Sequence, residues 1–518
     1  MFRTFGAALA VGLLLAGGAA AQSAPDQVTT RQGALKGVVA GDVAVFKGIP
    51  YAAPPVGELR WRPPQAPAAW SGVRDASAMG PVCYQSGGLF GPAGAQSEDC
   101  LTLNVWTPAN HTGAKLPVMV WVHGGGFIGG SGSTPFYDGT AFAHDGVVLV
   151  SLNYRLGRMG WFAHPALAKE GAGPLGNYGL MDQIAALKWV RANIAAFGGD
   201  PKNVTAFGES AGAISLNFLV ASNVGKGLFD KVISESGFGR FDAPPIARME
   251  QAGAVWAAAQ GVTGDDAKAL AALRALPASA LTGSIGGLQS PDVPRPMIDG
   301  TIIKERVDQA FARGHQLKIP YLLGGNSFEA SLFAQPTTAH PDLMIASTGL
   351  APAAATALFD DGDTLKAAYN ISTETMITEP NRYLAAKDSA AGAKVWLYYF
   401  SYVTAAQRAT APGVAHGGEL GYVFETIPRK PITFGARTIA AATPEDLTVA
   451  QAIHAYWVAF AKTGDPGAAG GTPWPAFTPA ADTTLDFTAD GPAVRTNFLK
   501  PRLDVLQARA DKPTAAQP

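Results

Sequence analysis

A serine flanked by glycines constrains this chain more than any other stretch. Residues 204–213 read Val-Thr-Ala-Phe-Gly-Glu-Ser-Ala-Gly-Ala, an apolar run broken by Gly208-Glu209-Ser210-Ala211-Gly212 before a helix-like segment resumes. A serine held on a tight strand-to-helix turn needs small residues two places before and two after it, because larger side chains would collide where the backbone bends. Gly208 and Gly212 fill those places. The helix expected over residues 211 to about 220 puts Ser210 at its positive end, where developing negative charge is favoured. In a chain with 61 glycines the pattern also fits an ordinary turn, so its surroundings must decide.

Those surroundings are strands alternating with helices. Residues 117–122 (Pro-Val-Met-Val-Trp-Val) are continuously apolar, as a strand buried on both faces requires, and residues 146–153 read as a further buried strand. Further strands are expected at 101–106, 231–237, 319–324 and 393–400, and a helix at 179–195. Glycines 33, 37 and 41 punctuate short antiparallel edge strands between residues 32 and 46. The proline-rich stretch 48–57 is expected to wrap over the surface without regular structure. Asp200-Pro-Lys-Asn203 reads as a turn, and the Ala-rich stretch 254–281 as a helical excursion. The fold class is therefore α/β, a central, mostly parallel sheet flanked by helices, with its sites at the carboxyl ends of the strands. Residues 22–518 carry no linker or repeat and read as one domain.

The remaining chemistry follows from what a serine nucleophile requires, namely a base and a carboxylate that orients it. On a sheet with such a turn the chain order is serine, acid, histidine. His111, His123, His144 and His164 precede Ser210, which leaves His315, His340, His416 and His454. His454 lies among Ile453, Tyr456, Trp457 and Phe460 at helical spacing and reads as a packing residue. His416 sits in the loop Pro412-Gly-Val-Ala-His-Gly-Gly418, which can set an imidazole over the turn. Glu329 follows a strand in apolar company and leads among the acids, with Asp299, Asp360 and Asp388 as competitors. His123-Gly-Gly-Gly-Phe127 leaves a buried strand and exposes backbone N–H groups suited to an oxyanion; Gly125, Gly126 and Ala211 are the proposed donors. No Lys-Ser/Thr follows to make it a phosphate loop.

Composition excludes several partners. Lys plus Arg is 39 and Asp plus Glu is 40, a net charge of -1, so nothing calls for nucleic acid or an anionic membrane. The start, Met1-Phe-Arg3 and an apolar stretch to residue 16, reads as a signal peptide over residues 1–21, cut after Ala21. It is too short to anchor in a membrane, and the mature chain is expected in the periplasm or outside the cell. There Cys83 and Cys100 would pair, and that staple is worth ~3 kcal/mol in the chain-entropy model. Residues 84–94 form a flexible loop on that staple, of the kind that borders sites.

The chain resembles the type-B carboxylesterase and cholinesterase family, a branch of the α/β-hydrolase fold. The resemblance rests on Phe46-Lys-Gly-Ile-Pro-Tyr-Ala-Ala-Pro-Pro-Val-Gly, Ser97-Glu-Asp-Cys-Leu-Thr-Leu-Asn-Val, Asn153-Tyr-Arg-Leu-Gly, Gly176-Asn-Tyr-Gly-Leu-Met-Asp-Gln, Phe207-Gly-Glu-Ser-Ala-Gly and His416-Gly-Gly-Glu-Leu. It implies a Ser210, Glu329 and His416 triad acting without metal or organic cofactor on small-molecule esters. It also implies the Cys83 to Cys100 disulfide, ion pairs of Arg60 with Glu98 and Arg155 with Asp182, and an indirect role for Glu209. Phe127, Phe238, Leu332 and Phe333 are the implied pocket walls. The cholinesterases carry a tryptophan in the disulfide loop that stacks on a quaternary ammonium; residues 84–99 have none, which favours general or aryl esters. Two other readings stand beside ester hydrolysis: a non-catalytic binding module, or cleavage of an amide, carbamate or lactone. The physiological ester and the oligomeric state are left open.

Overall fold

The computed structural model describes residues 25–85, 94–171, 173, 175–282, 293–434 and 437–512. Its centre is an eleven-stranded sheet. In chain order the strands are β1 Val38–Ala40, β2 Val43–Pro50, β3 Thr102–Pro108, β4 Leu116–Val122, β5 Val148–Leu152, β6 Gly199–Glu209, β7 Lys231–Glu235, β8 Tyr321–Asn326, β9 Val395–Phe400, β10 Thr483–Thr488 and β11 Gly491–Thr496. In space they run β11-β10-β9-β8-β7-β6-β4-β5-β3-β2-β1. From β5 to β10 every neighbouring pair is parallel. The two margins are antiparallel. This is the mostly parallel α/β sheet expected from the alternating pattern, and the α/β-hydrolase architecture that the family resemblance implies.

Strand periodicity splits the core into two layers. Val118, Val120 and Val122 of β4 face one layer, while Met119 and Trp121 face the other. The first layer is covered by helices α1 (Tyr178–Asn193) and α2 (Ala211–Ala221), which supply Leu187, Val190, Leu216 and Leu219. The second is covered by α3 (Pro444–Thr463) through Ile453, Trp457 and Phe460. Coverage on both faces explains why β4 is apolar at every position and why every residue of β5 is buried. It also explains α2, whose residues are all buried although it has no polar face.

Two segments differ from their sequence expectation. Gly48, Ile49 and Pro50 belong to β2: the register against β3 shifts between Phe46 and Ile49, and Gly48 takes φ +64°. A bulge there lets the strand resume with a proline at its last position. Tyr51 and Ala52 beyond it are buried, and the Tyr51 hydroxyl donates to the Asn153 carbonyl at 2.6 Å. Likewise, residues 200–203 are a looped-out irregularity inside β6, between Gly199 and Val204. The 254–281 stretch is helical as expected, within Ile246–Ala259, Ala267–Ala275 and Ala278–Thr282.

The scaffold pairs are present. Cys83 and Cys100 form the disulfide, Arg60 pairs with Glu98 at 2.5 Å, and buried Arg155 pairs with Asp182 at 2.7 Å. Residues 1–21, where a leader is expected, and most of the loop at 84–94 lie outside the described residues. No single helix among the described residues is long and apolar enough to cross a membrane.

Candidate active site

Strand β6 ends at Glu209 and α2 begins at Ala211, so one residue makes the whole turn. Ser210 takes φ +54° and ψ −122°, a conformation that L side chains rarely adopt. Its N–H donates to the Glu235 carbonyl at 2.9 Å, and its own carbonyl accepts from Ile214 at 2.8 Å. The flanking glycines are required for a reason beyond the bend. A Cβ on Gly208 would lie 2.6 Å from the Val122 carbonyl oxygen, and one on Gly212 only 2.0 Å from it. The turn is thus pressed against the end of β4, where the glycine loop starts.

That loop is shaped by close approach as well. A Cβ on Gly124 would meet a Glu209 carboxylate oxygen at 2.5 Å, and one on Gly125 the Gly129 carbonyl at 2.1 Å. Gly125 and Gly126 take φ +108° and +62°. Ala211 is the first residue of α2, so its N–H has no carbonyl one turn back. His123, set aside as a base by chain order, props the loop. It is fully buried, stacks on Tyr154 and donates from Nδ1 to the Gly124 carbonyl at 2.7 Å. Burial lowers its pKa to about 4, so it stays neutral. Gln85, at the base of the disulfide loop, donates to and accepts from the Gly130 backbone, tying that loop to the glycine turn.

The acid and the base meet from distant parts of the chain. Glu329 follows β8 and is fully buried. Its Oε2 lies 2.5 Å from His416 Nδ1, while its Oε1 accepts from the Ser236 hydroxyl at 2.6 Å and the Asn326 N–H at 2.7 Å. Two of the competing acids are engaged elsewhere: Asp299 accepts from the amides of Thr301, Ile302 and Ile303, and Asp388 accepts from Gln316; Asp360 stands at the C-terminal end of the helix Pro352–Phe359, its N–H donating to the Thr356 carbonyl. The His416 loop is fixed by its N–H donating to Ser331 Oγ at 2.9 Å and by Phe328 N–H donating to the Val414 carbonyl at 2.8 Å. His454 packs in α3, its Nδ1 donating to the Val423 carbonyl at 2.7 Å.

The other imidazole nitrogen, His416 Nε2, stands 2.9 Å from Glu209 Oε1. Glu209 therefore touches the imidazole directly, because it ends β6 with Gly124 lying over its carboxylate. Burial alone would lower the His416 pKa, but the charges of Glu209 and Glu329 outweigh it and hold it well above the ordinary imidazole value. Two more buried acids lie nearby, neither weighed from sequence as a site residue. Burial, together with the charges of Glu209 and Glu329, raises Glu419 to about 8; its carboxylate accepts from Asn326 Nδ2 at 2.5 Å. Burial and Glu419 raise Glu235, which accepts from Trp457 Nε1 at 2.8 Å.

Ser210, Glu209, His416, Gly125, Gly126 and Ala211 open into one cavity of about 250 Å³. Phe127, Phe238, Leu332 and Phe333 line it, all four of the walls expected. Phe127 sits edge-on to Trp161, and Phe238 edge-on to His416 at 6.1 Å. Ile214, Phe241, Val293 and Arg295 also line it, and no motif marked them.

With this geometry in view, the comparisons with known proteins are decisive. The model of the Carboxylesterase family matches residues 24–349 and 354–506. The chain belongs to the carboxylesterase family. It is 40% identical to a fumonisin B1 esterase of Sphingopyxis macrogoltabida over 474 residues, covering 86% of this chain and 84% of the relative. It is 36% identical to a para-nitrobenzyl esterase of Bacillus subtilis (strain 168), covering 88% and 94%. Among solved structures, a carboxylesterase of Geobacillus stearothermophilus superposes with a TM-score of 0.81 at 34% identity, over 93% of this chain and all of the other. The protein is a carboxylic ester hydrolase.

Proposed function

We propose that this carboxylesterase works through a Ser210 acyl-enzyme. The observation that carries the reading is the turn at Ser210, which opens into the same cavity as a His416 imidazole bound at Nδ1 by a buried Glu329. Ser210 Oγ attacks the ester carbonyl carbon while neutral His416 takes the hydroxyl proton at Nε2. The N–H groups of Gly125, Gly126 and Ala211 receive the negative charge that collects on the carbonyl oxygen. Collapse of the tetrahedral species breaks the bond to the alcohol, whose oxygen takes the proton from His416. Water then repeats the sequence on the acyl-enzyme and frees Ser210. Glu329 holds the imidazole in the tautomer with its proton on Nδ1 and stabilises the imidazolium formed in each step.

Apolar walls such as Phe238 and Phe333 suit small-molecule esters with alkyl or aryl parts. The names of the relatives, a fumonisin B1 esterase and a para-nitrobenzyl esterase, agree with that class. The leader at residues 1–21 supports export to the periplasm or the medium, and mature protein starting at Gln22 is the expected result of N-terminal sequencing. The test of the chemistry is turnover of para-nitrophenyl acetate and butyrate by the wild type and by Ser210→Ala. A loss of about 10⁶ in kcat is expected; undiminished turnover in the variant would overturn the assignment.

A further inference from the structure

Five of the seven residues from Gly124 to Gly130 are glycine, so the loop that offers N–H groups to the oxyanion has little of its own to fix its shape. Its start is fixed by His123, whose ring stacks on Tyr154 and whose carbonyl accepts from the Tyr154 hydroxyl at 2.8 Å. Within it, the Gly125 carbonyl accepts from the N–H groups of Ile128 and Gly129, both at 3.1 Å, which closes a turn around the proposed donors. Its far end is Gly130, at φ +108°. A Cβ there would meet His123 Nδ1 at 2.4 Å and the Gly124 carbonyl oxygen at 2.5 Å. That contact stops Gly130 from moving inward but does nothing to stop it from moving away.

The outward restraint comes from Gln85. Its side chain is buried, and its amide pairs with the Gly130 peptide in both directions: Nε2 donates to the Gly130 carbonyl at 3.0 Å, and Oε1 accepts from the Gly130 N–H at 2.9 Å. One side chain thus does what a paired residue on a neighbouring antiparallel strand would do. The amide is held in turn. Nε2 also donates to the Cys83 carbonyl at 3.1 Å, and the Gln85 N–H donates to Gln96 Oε1 at 2.8 Å. Cys83, two residues before Gln85, is bonded to Cys100, so the root of the side chain is stapled to the chain just before β3. Nε2 faces two carbonyls and Oε1 faces one N–H, a set that only an amide satisfies. Gly130 lines the ester cavity, and Gln85 grips it from behind.

We propose that Gln85 is a positioning residue for ester hydrolysis: by clamping the Gly130 peptide it keeps the Gly125 and Gly126 N–H groups where the oxyanion forms. The proposal rests on the Ser210 reading and adds a residue that reaches the reaction only through the loop. Negative charge collects on the carbonyl oxygen in the transition state and not in the bound ester. Slack in the loop therefore costs turnover and leaves ester binding nearly as it was.

Hexyl trifluoromethyl ketone tests this, because it reports on the oxyanion separately from the ester. Ser210 Oγ adds to the ketone carbon, the hydroxyl proton passes to His416 Nε2, and the π electrons settle on the oxygen as an alkoxide for the loop N–H groups to hold. Gln85→Met keeps the side chain's length and loses its hydrogen bonds. With para-nitrophenyl butyrate, kcat should fall about 10- to 100-fold while KM stays within about threefold. The ketone inhibition constant should rise by the same factor as kcat/KM falls, and the midpoint of the pH–rate profile should stay where the wild type has it. Gln85→Glu, of equal size and polar, keeps only the acceptor and should show the same pattern; it serves if the methionine variant does not fold. A folded variant whose kcat and inhibition constant both stay within about twofold of the wild type, or whose kcat falls while the inhibition constant does not move, would overturn the role of Gln85 alone. A wild type that the ketone does not inhibit would overturn the Ser210 reading and this proposal with it.

Discussion

The two halves of this site are built by different means. On one side, the elbow and the glycine loop are made of backbone: Gly208, Gly212, Gly124 and Gly125 each sit where a Cβ would come within 2.6 Å of another atom. On the other, the Glu329 carboxylate is held by the Ser236 hydroxyl and the Asn326 backbone N–H, and the His416 backbone N–H by the Ser331 hydroxyl. The first half tolerates no added atom, while the second depends on hydrogen-bond donors and charge. Substitutions should therefore fail in different ways on the two sides.

The largest separation between the halves is expected from Glu329→Gln. The amide is isosteric, so folding should survive, but it cannot hold the imidazole in the working tautomer, and kcat should fall about 10⁴-fold. Near-wild-type turnover by a folded variant would remove Glu329 from the account. On the backbone side, Gly212→Ala puts a methyl 2.0 Å from the Val122 carbonyl. Thermal unfolding should show a loss of about 1–3 kcal/mol or more from overpacking, with activity lost as the elbow shifts. An unshifted melting curve would mean that β4 yields more easily than its packing indicates. The smallest effect expected is a displaced pH profile. His416 must be neutral to accept a proton, and adjacent carboxylates favour its charged form, so kcat/KM should rise as pH rises through its pKa. Glu209→Gln removes one of those charges, lowers that pKa and should move the rising limb to lower pH. A limb that stays in place, or moves to higher pH, would show that Glu209 does not set the imidazole charge.

The same contrast governs what could be read from sequence. The elbow, the glycine loop and the buried strands are contiguous, and their constraints act on neighbouring residues, so 204–213 and 117–127 carry their meaning openly. The order of Ser210, Glu329 and His416 was legible because chain order on this sheet is restricted, although pattern alone left Asp299, Asp360 and Asp388 in competition. Glu235 and Glu419 escaped notice as a buried acidic layer because their burial depends on α3 and on the 413–418 loop packing against the strand ends. Glu209 was read as indirect, and only the approach of the His416 loop shows that it touches the imidazole. The extension of β2 through Pro50 was hidden for a related reason, since a bulge exempts one proline from the usual rule.

The central claim is that Ser210 is the atom-level nucleophile, and a fluorophosphonate probe tests it with least interpretation. Intact mass and peptide mapping of the labelled protein should give one adduct, on the peptide containing Ser210, and none in Ser210→Ala. Labelling that persists in the variant, or that maps to another residue, would contradict the account.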